Sequence, residues 1–162
     1  MKPKASSKGK GIALIRTFEQ VPRGQAWVVQ QYIDNPLLIN GYKFDLRVYV
    51  AVTSVNPLRV YVYNEGLCRF ASEKYTMDNV KNKYSHLTNY SINKNNEGGS
   101  LGQNQIKWSF CDFRKYLEEH EVGGFLNMDR LFTQIDQIVL KTIISAEASL
   151  WNGLKMFLPN TY

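Results

Sequence analysis

The chain has 162 residues, of which 44% are hydrophobic and 13% aromatic, so it can bury a core and disorder is not expected. Twenty Lys and Arg against fourteen Asp and Glu give a net charge of +6, which favours an acidic partner such as nucleotide phosphates, nucleic acid, an anionic membrane or an acidic peptide. No apolar run reaches membrane-spanning length, no secretory leader is expected, and the two cysteines lack metal-ligand spacing, which suits a reducing cytoplasmic compartment.

The first third of the chain predicts two strands. Residues 1–11 are rich in Lys, Ser and Gly, and Ile12–Ile15 is expected to follow as a short strand. A second strand is predicted over Ala26–Ile33, buried on both faces because its start is almost continuously apolar. Asn40-Gly41 is a strong turn dipeptide.

The middle of the chain predicts an antiparallel hairpin. Leu46–Thr53 and Leu58–Tyr63 are rich in β-branched and aromatic residues, and Asn56-Pro57 lies between them. Asn64-Glu65-Gly66 predicts another turn, followed by a strand over Leu67–Ala71.

Residues 75–96 are polar and predicted to be irregular, with one dense cluster of hydrogen-bonding side chains at His86–Ser91. A polar turn that satisfies its own backbone would explain that cluster equally well. Asn95–Asn104 is a Gly/Asn loop and is expected to be mobile.

The last third predicts helices, one over Trp108–Glu119 and a longer one over Met128–Trp151, with Asn127 or Asp129 as its cap. The periodic positions that predict a buried stripe on the longer helix are Leu131, Ile135, Ile138, Thr142 and Ala146. Strands followed by helices indicate an α+β fold.

A row of charged residues marks the start of the hairpin. Lys43, Asp45 and Arg47 are spaced by two, so in a strand they share one face. The apolar residues between and after them, which would point to the other face, are Phe44, Leu46 and Val48. A row of cation, anion and cation is suited to a phosphorylated ligand, although a cross-strand set of salt bridges would produce the same pattern.

The basic segment Lys2–Ile12 has the composition of a phosphate-binding loop. Its glycines and serines allow backbone N–H groups to approach phosphate oxygens, and its lysines neutralise their charge. The P-loop pattern is absent, as is the dinucleotide-binding glycine motif, and a flexible basic terminus remains an alternative.

Ordered motifs extend along nearly the whole chain. In order they are Lys2-Pro3 with Gly9-Lys10-Gly11-Ile12, Gln30–Ile33, Pro36–Arg47, Val52–Ser54 with Pro57–Val60, Glu65–Phe70, His86–Lys94, Lys107-Trp108 and Lys141–Glu147. Together these motifs resemble the tubulin tyrosine ligase-like family, and within it the branch of tubulin polyglutamylases.

The resemblance implies an ATP-grasp fold, in which two α+β lobes hold ATP between their sheets. Residues 1–162 would form part of that fold, with a strand-rich nucleotide-binding part over 1–72, a loop region over 73–107 and a helical part over 108–158. Lys2 and Lys43 would meet phosphates. The residues that the resemblance places at ATP are Lys2, Lys8, Gly9, Gln30, Gln31, Tyr32, Ile33, Lys43, Phe44, Asp45, Thr88 and Asn89.

The resemblance also implies an ATP-dependent ligation. A glutamate side chain of a tubulin tail would attack the γ-phosphate of ATP and become an acyl phosphate. The amine of free glutamate would then displace the phosphate and form an isopeptide bond. Lys43 and Arg47 are the catalytic candidates, because charge develops on phosphoryl and acyl oxygens. The positions that match holders of the free amino acid are Arg69, Tyr90, Ser91 and Lys107, of which the cations suit carboxylates.

The family's Mg²⁺ ligands, an Asp and a later Glu-x-Asn, are expected beyond residue 162, so no metal ligand is assigned within the chain. The chain is therefore expected to be an incomplete enzyme with weak or absent ligase activity of its own. The implied partners are ATP, Mg²⁺, free L-glutamate and the acidic C-terminal tails of tubulin. A monomer is expected in the cytoplasm, on microtubules and at the cilium or basal body, with neither nucleic acid binding nor membrane insertion.

Three other functions compete with this interpretation. The chain could be a non-catalytic nucleotide- or tubulin-binding module, or a ligase of the same family that transfers glycine or tyrosine. It could also bind single-stranded nucleic acid, with Tyr49, Tyr61 and Tyr63 stacking on bases.

Overall fold

The computed structural model describes residues 1–102, 105–120 and 127–157. Gln103 and Asn104 of the predicted loop, and Leu158 at the end of the predicted helical part, lie outside the described residues. In chain order the strands and α-helices are β1 (Lys2–Pro3), β2 (Trp27–Val28), β3 (Leu38–Ile39), β4 (Tyr42–Val55), β5 (Leu58–Phe70), α1 (Lys83–His86), α2 (Tyr90–Asn93), β6 (Lys107–Ser109), α3 (Phe110–Glu119) and α4 (Met128–Phe157). A single-turn 3₁₀ helix also forms over Phe18–Gln20. Strands dominate the first part and helices the last, as the α+β prediction requires.

The strands form two sheets, one with the order β1-β2 and one with the order β3-β4-β5-β6. β3 and β4 pair antiparallel, with Ile39 opposite Tyr42, so Asn40 and Gly41 make a two-residue turn. Both turn residues have positive φ, 52° and 81°, which is the conformation that Asn-Gly adopts in a type I′ turn. The predicted turn is confirmed.

The predicted hairpin is also confirmed, as β4 and β5 with Asn56-Pro57 between them. The turn predicted at Asn64-Glu65-Gly66 is wrong, because β5 runs through these residues without a break. β5 runs unbroken from Leu58 to Phe70 beside the long strand β4, and this pairing overrides the local turn preference.

Two predictions for the first third are wrong. Ile12–Ile15 is irregular; the described backbone joins it to residue 1 through reciprocal bonds between Met1 and Ala13. The strand predicted over Ala26–Ile33 shrinks to β2, because β1 offers it only two paired residues. The expected burial fails as well, since Ile33 is 74% exposed.

The described residues form two compact units, one within residues 1–47 and 67–108, the other within residues 48–66 and 109–157. In the first unit the core includes Cys68 and Phe70, and the Phe70 ring lies 5.9 Å from that of Phe44 and 4.7 Å from that of Trp108. Burial raises the pKa of the Cys68 thiol to about 12, so this cysteine is an unreactive core residue.

In the second unit the predicted helix starts two residues late, at Phe110 rather than Trp108, because residues 107–109 form β6. Ser109 caps this helix by accepting a hydrogen bond from the Asp112 N–H at 3.0 Å, and its own hydrogen bonds to the Asp112 carboxylate lower the pKa of that group. Phe110 packs edge-to-face against Phe132 of α4, with ring centroids 5.8 Å apart.

α4 begins after Asn127, whose side chain accepts from the Arg130 N–H at 2.8 Å, so one of the two candidate caps is confirmed. The predicted buried stripe is wrong: Thr142 is exposed and Ile138 is 64% exposed, while Leu131, Ile135 and Ala146 are half-buried. Met128 in the first turn is the helix's only buried residue, so the described part of the chain covers α4 fully only where it begins. None of the described helices is long and apolar enough to cross a membrane.

Candidate active site

Lys43, Asp45 and Arg47 all lie in β4, so strand alternation puts their side chains on one face, as predicted. Phe44 points to the other face and packs on Phe70. Lys43 and Asp45 are half-buried, whereas Arg47 is exposed. The structure therefore separates Phe44 from the charged row that the resemblance grouped with it.

Asp45 is paired with Arg69 of the neighbouring strand. The guanidinium donates from Nε to Oδ1 at 2.8 Å and from Nη2 to Oδ2 at 2.6 Å, a bidentate geometry. The Ala71 N–H donates to the Lys43 carbonyl at 2.9 Å, so antiparallel pairing sets position 69 opposite position 45. A residue expected at ATP and one expected at the amino acid are thus joined directly.

Lys43 lies at the start of a chain of hydrogen bonds. Its ammonium donates to the Tyr32 hydroxyl at 2.9 Å, and that hydroxyl lies 3.0 Å from Nδ1 of His86. The other ring nitrogen of His86, Nε2, is 3.2 Å from the carbonyl oxygen of Asn79. The Tyr32 and Tyr75 rings contact the imidazole edge-to-face, with centroids 5.7 Å and 5.3 Å away.

Burial shifts the pKa of each ionisable residue in this series of hydrogen bonds, namely Lys43, His86 and Tyr32. It lowers the pKa of the Lys43 ammonium, an effect that the Asp45 carboxylate partly offsets. It lowers the pKa of His86, where the hydrogen bond to Asn79 opposes the shift and the charge of Lys43 adds to it. Burial also raises the pKa of Tyr32, so the phenol stays protonated and can donate.

The basic glycine-rich loop is held against α2. Lys8 and Gly9 both have positive φ, 59° and 78°, and Ser91 donates through Oγ to the Lys8 carbonyl at 2.9 Å. A Cβ on Gly9 would lie 2.5 Å from the Ile92 side chain and 2.7 Å from Oδ1 of Asn89, so these two side chains would have to move, and the positive φ strains any other residue here. A cavity of about 310 Å³ opens beside this loop.

Thr88 and Asn89 belong to a segment that one buried amide immobilises. Asn93, 3% exposed, donates through Nδ2 to the carbonyls of Leu87 at 2.7 Å and Asn89 at 3.1 Å. Its Oδ1 accepts from the backbone N–H and the hydroxyl of Ser72, both at 2.8 Å. All four hydrogen-bonding positions of the amide are used, so Asn93 fixes the backbone around Thr88 and Asn89.

Two of the predicted amino-acid holders meet each other. The Lys107 ammonium lies over the ring of Tyr90, 4.1 Å from its centroid, so the tyrosine fixes the position of this cation. Ser91 instead contacts the glycine-rich loop, and Arg69 contacts Asp45. The four predicted residues are therefore each paired with a neighbour that could orient them.

A cavity of about 740 Å³ lies beside Lys43 and His86, within the range of about 300–1,000 Å³ that small-molecule sites occupy. Its walls combine apolar side chains of residues 12–15 and 28–29 with polar groups. The predicted ATP residues that line it are Lys2, Gln30, Gln31, Tyr32 and Lys43. The predicted ATP residues outside its lining are Lys8, Gly9, Ile33, Phe44, Asp45, Thr88 and Asn89.

Sequence reasoning missed the roles of His86, Tyr75 and Asn93. The dense polar cluster at His86–Ser91 was a signal for the first, but none of the three was assigned a role. Within residues 1–102, 105–120 and 127–157, no group of three or more His, Cys, Asp or Glu side chains could hold a metal ion. The described residues therefore do not form a metal site made of protein ligands alone, and no chemical step is assigned to Mg²⁺.

Three tyrosines of the hairpin are open to solvent. Tyr49, Tyr61 and Tyr63 are 46%, 60% and 59% exposed, so they do not serve as core residues in the described structure. Their exposure meets one requirement of the nucleic-acid alternative.

Comparison with known proteins identifies the family. The model of the tubulin-tyrosine ligase family matches residues 1–161. The chain is 41% identical over 169 residues to tubulin monoglutamylase TTLL4 of Mus musculus, with 100% of the chain aligned. It is 40% identical over 163 residues to tubulin polyglutamylase TTLL6 of Homo sapiens, with 98% aligned. Tubulin polyglutamylase TTLL5 of Homo sapiens matches at 38% over 168 residues, with 99% aligned.

These relatives are much longer than the matched region. The chain spans 14% of the length of TTLL4 of Mus musculus, 18% of TTLL6 and 13% of TTLL5 of Homo sapiens. The names of these relatives as glutamylases describe the full-length proteins.

Proposed function

The chain belongs to the tubulin-tyrosine ligase family, and on that premise we propose that it is the nucleotide-binding part of an ATP-dependent ligase that adds glutamate to tubulin tails. The observation that carries the proposal is the 740 Å³ cavity, into which Lys2 and Lys43 bring positive charge. Relatives named tubulin mono- and polyglutamylases, 38–41% identical over nearly the whole chain, support glutamate as the transferred amino acid. The ATP-grasp architecture is part of this proposal.

The residues present fit a nucleotide. The apolar stretch of the cavity wall suits a base, while Lys2 and Lys43 suit phosphate oxygens. Gly9 brings the basic loop close to Asn89, another predicted ATP residue, since a Cβ at position 9 would lie 2.7 Å from Oδ1 of Asn89. When bound, ATP would supply the phosphoryl group that activates a carboxylate.

The free glutamate would be held by the paired cations. Lys107, placed by the Tyr90 ring, and Arg69, placed by Asp45, can each bind a carboxylate without reorganising, since their side chains are already oriented. Arg47 lies two residues after Asp45 on the same strand face and would add positive charge near developing oxyanions. These residues act by position and charge, and the chain's net charge of +6 suits an acidic tail.

Nucleotide binding by the chain itself tests the first half of the proposal. Isothermal titration with ATP should show binding that Lys43→Met weakens about tenfold or more, because a charge-assisted contact to phosphate is lost. Lys115→Met, the same change at an exposed position of α3, should leave the affinity unchanged. Absence of ATP binding by the unaltered chain would contradict the proposal.

Transfer of labelled glutamate tests the second half. With ATP and tubulin, the protein should label tubulin tails with glutamate in preference to glycine or tyrosine. ATP binding without transfer by a protein that includes this chain would favour the non-catalytic module instead.

The exposed tyrosines raise the alternative of single-stranded nucleic acid binding. Affinities for an acidic tail peptide and for a single-stranded oligonucleotide, each measured over a series of salt concentrations, test it. Tighter binding to the oligonucleotide than to the peptide, weakened by Tyr61→Ala and Tyr63→Ala, would favour nucleic acid binding.

A further inference from the structure

The hydrogen bonds around His86 have a defined direction. The carbonyl of Asn79 can only accept, so the Nε2 atom of His86 that faces it carries the proton. In the neutral ring Nδ1 is then an acceptor, and the Tyr32 hydroxyl donates to it. The oxygen of that hydroxyl is left to accept from the Lys43 ammonium.

We propose that His86 and Tyr32 are positioning residues for Lys43, and that they set the direction in which its ammonium presents protons to a phosphate. The inference rests on the proposed function, in which Lys43 binds the phosphates of ATP. An ammonium has three N–H donors, of which Tyr32 takes one at 2.9 Å. If the hydroxyl hydrogen pointed at Lys43 instead, two donors would face each other, so the tautomer of His86 determines that the Tyr32 hydroxyl donates to Nδ1 and accepts from Lys43.

The location of these residues supports the assignment. Tyr32, Lys43 and His86 all line the 740 Å³ cavity, so the chain of hydrogen bonds lies in its wall. His86 is 1% exposed, and the edges of two tyrosine rings confine it. The Lys43 ammonium also lies 4.5 Å from the centroid of the Tyr32 ring, so this one side chain contacts it through both its hydroxyl and its ring.

Nucleotide affinities separate positioning from a general structural effect. Tyr32→Phe keeps the ring and removes the hydroxyl, so it should weaken ATP binding by about fivefold to tenfold while changing adenosine affinity by less than about twofold. Equal losses for ATP and adenosine would indicate a structural role and would overturn the proposal. An unchanged ATP affinity would overturn it as well.

The effect of Tyr32→Phe on ATP affinity should also be measured in a protein that carries Lys43→Met. If Tyr32 acts through Lys43, Tyr32→Phe should cause no further loss of ATP affinity once Lys43 is absent. If Lys43→Met itself leaves ATP binding unchanged, the proposed function fails together with the positioning role. If Lys43→Met weakens ATP binding and Tyr32→Phe does not, only the positioning role fails.

Two replacements of His86 divide its functions. Asn can keep an acceptor where Nδ1 lies, whereas Gln can keep a donor where Nε2 lies. His86→Asn should therefore retain more of the preference for ATP over adenosine than His86→Gln; the reverse order would count against the proposal.

The nitrogen NMR spectrum of His86 in the unliganded protein gives a check that does not need nucleotide. It should show the Nε2–H tautomer, with an Nδ1 signal that shifts in Tyr32→Phe; an Nδ1–H tautomer would exclude the proposed direction.

Discussion

Asp45 on β4 and Arg69 on β5 form a bidentate ion pair, with donor–acceptor distances of 2.8 Å and 2.6 Å. Because Asp45 was expected at ATP and Arg69 at the amino acid, the pair joins the two proposed substrate positions through one carboxylate. The Asp45 side chain is 39% exposed, so water screens the charges and the pair serves mainly to orient Arg69.

A double-mutant cycle in urea should measure this pair. Asp45→Ala, Arg69→Ala and the double variant should give a coupling free energy of about 0.5–1 kcal/mol, as for partly exposed ion pairs. The cycle is needed because Arg69 has further interactions that its single replacement would also remove. Arg59, exposed on the same strand, is the control: Arg59→Ala should not couple to Asp45→Ala. Equal coupling in both cycles would contradict the assignment.

Gly9 should not tolerate a side chain. Its φ is +78°, and a Cβ would meet the side chains of Ile92 and Asn89 at 2.5 Å and 2.7 Å. We expect Gly9→Ala to lower the free energy of unfolding by about 1–3 kcal/mol and to weaken ATP binding. Gly98→Ala, whose Cβ would have no atom within 4 Å, should change stability by less than about 0.5 kcal/mol. Similar effects of the two substitutions in urea denaturation would show that the loop does not require glycine at position 9.

Asn93 should be essential for the segment that carries Thr88 and Asn89. Asn93→Ala leaves the Ser72 N–H and the carbonyls of Leu87 and Asn89 without this partner, so a loss of about 2–4 kcal/mol is expected. Thermal denaturation measures it, with Asn95→Ala at an exposed position as the control. Hydrogen exchange should rise first at residues 87–89; unchanged exchange there would argue against the role assigned to Asn93.

His86 should make the fold sensitive to mild acid. Its pKa is lowered in the folded state from 6.5, so the unfolded chain takes up the proton more readily than the folded chain. The stability that depends on neutral His86 is therefore fully present above pH 6.5. Below pH 6.5 the free energy of unfolding falls as the pH drops, with a slope of at most about 1.4 kcal/mol per pH unit for one proton. The groups that face His86 are Tyr32, Tyr75, the Asn79 carbonyl and, through Tyr32, Lys43.

Urea denaturation at pH 7.5 and pH 5.5 tests this dependence. His120→Gln, at the exposed end of α3, should keep the acid-induced loss of the unaltered chain. His86→Asn should reduce that loss, because the titrating group is gone. A full acid-induced loss in His86→Asn would assign the dependence to other groups.

Local chemistry explains which structural predictions succeeded. The Asn40-Gly41 turn, the hairpin around Asn56-Pro57 and the Asn127 cap each depend on a few neighbouring residues. The predictions that failed depend instead on residues that are distant in the chain. The turn predicted at residues 64–66 was overridden by the pairing of β5 with β4. The burial predicted for Ile33 and Ile138 required covering residues that the described chain does not place over them.

The sequence by itself determined the family, the mixed α+β arrangement and the common face of Lys43, Asp45 and Arg47, because ordered motifs and the strand period are written along the chain. Only the tertiary structure decided which polar groups meet. Tyr32 and His86 are 54 residues apart in the chain yet 3.0 Å apart in space. No periodicity encodes such a contact, because it depends on how the loop after β2 and the helix α1 pack around β4. That packing places the Lys43 ammonium at one end of a series of hydrogen bonds, where it donates to the Tyr32 hydroxyl.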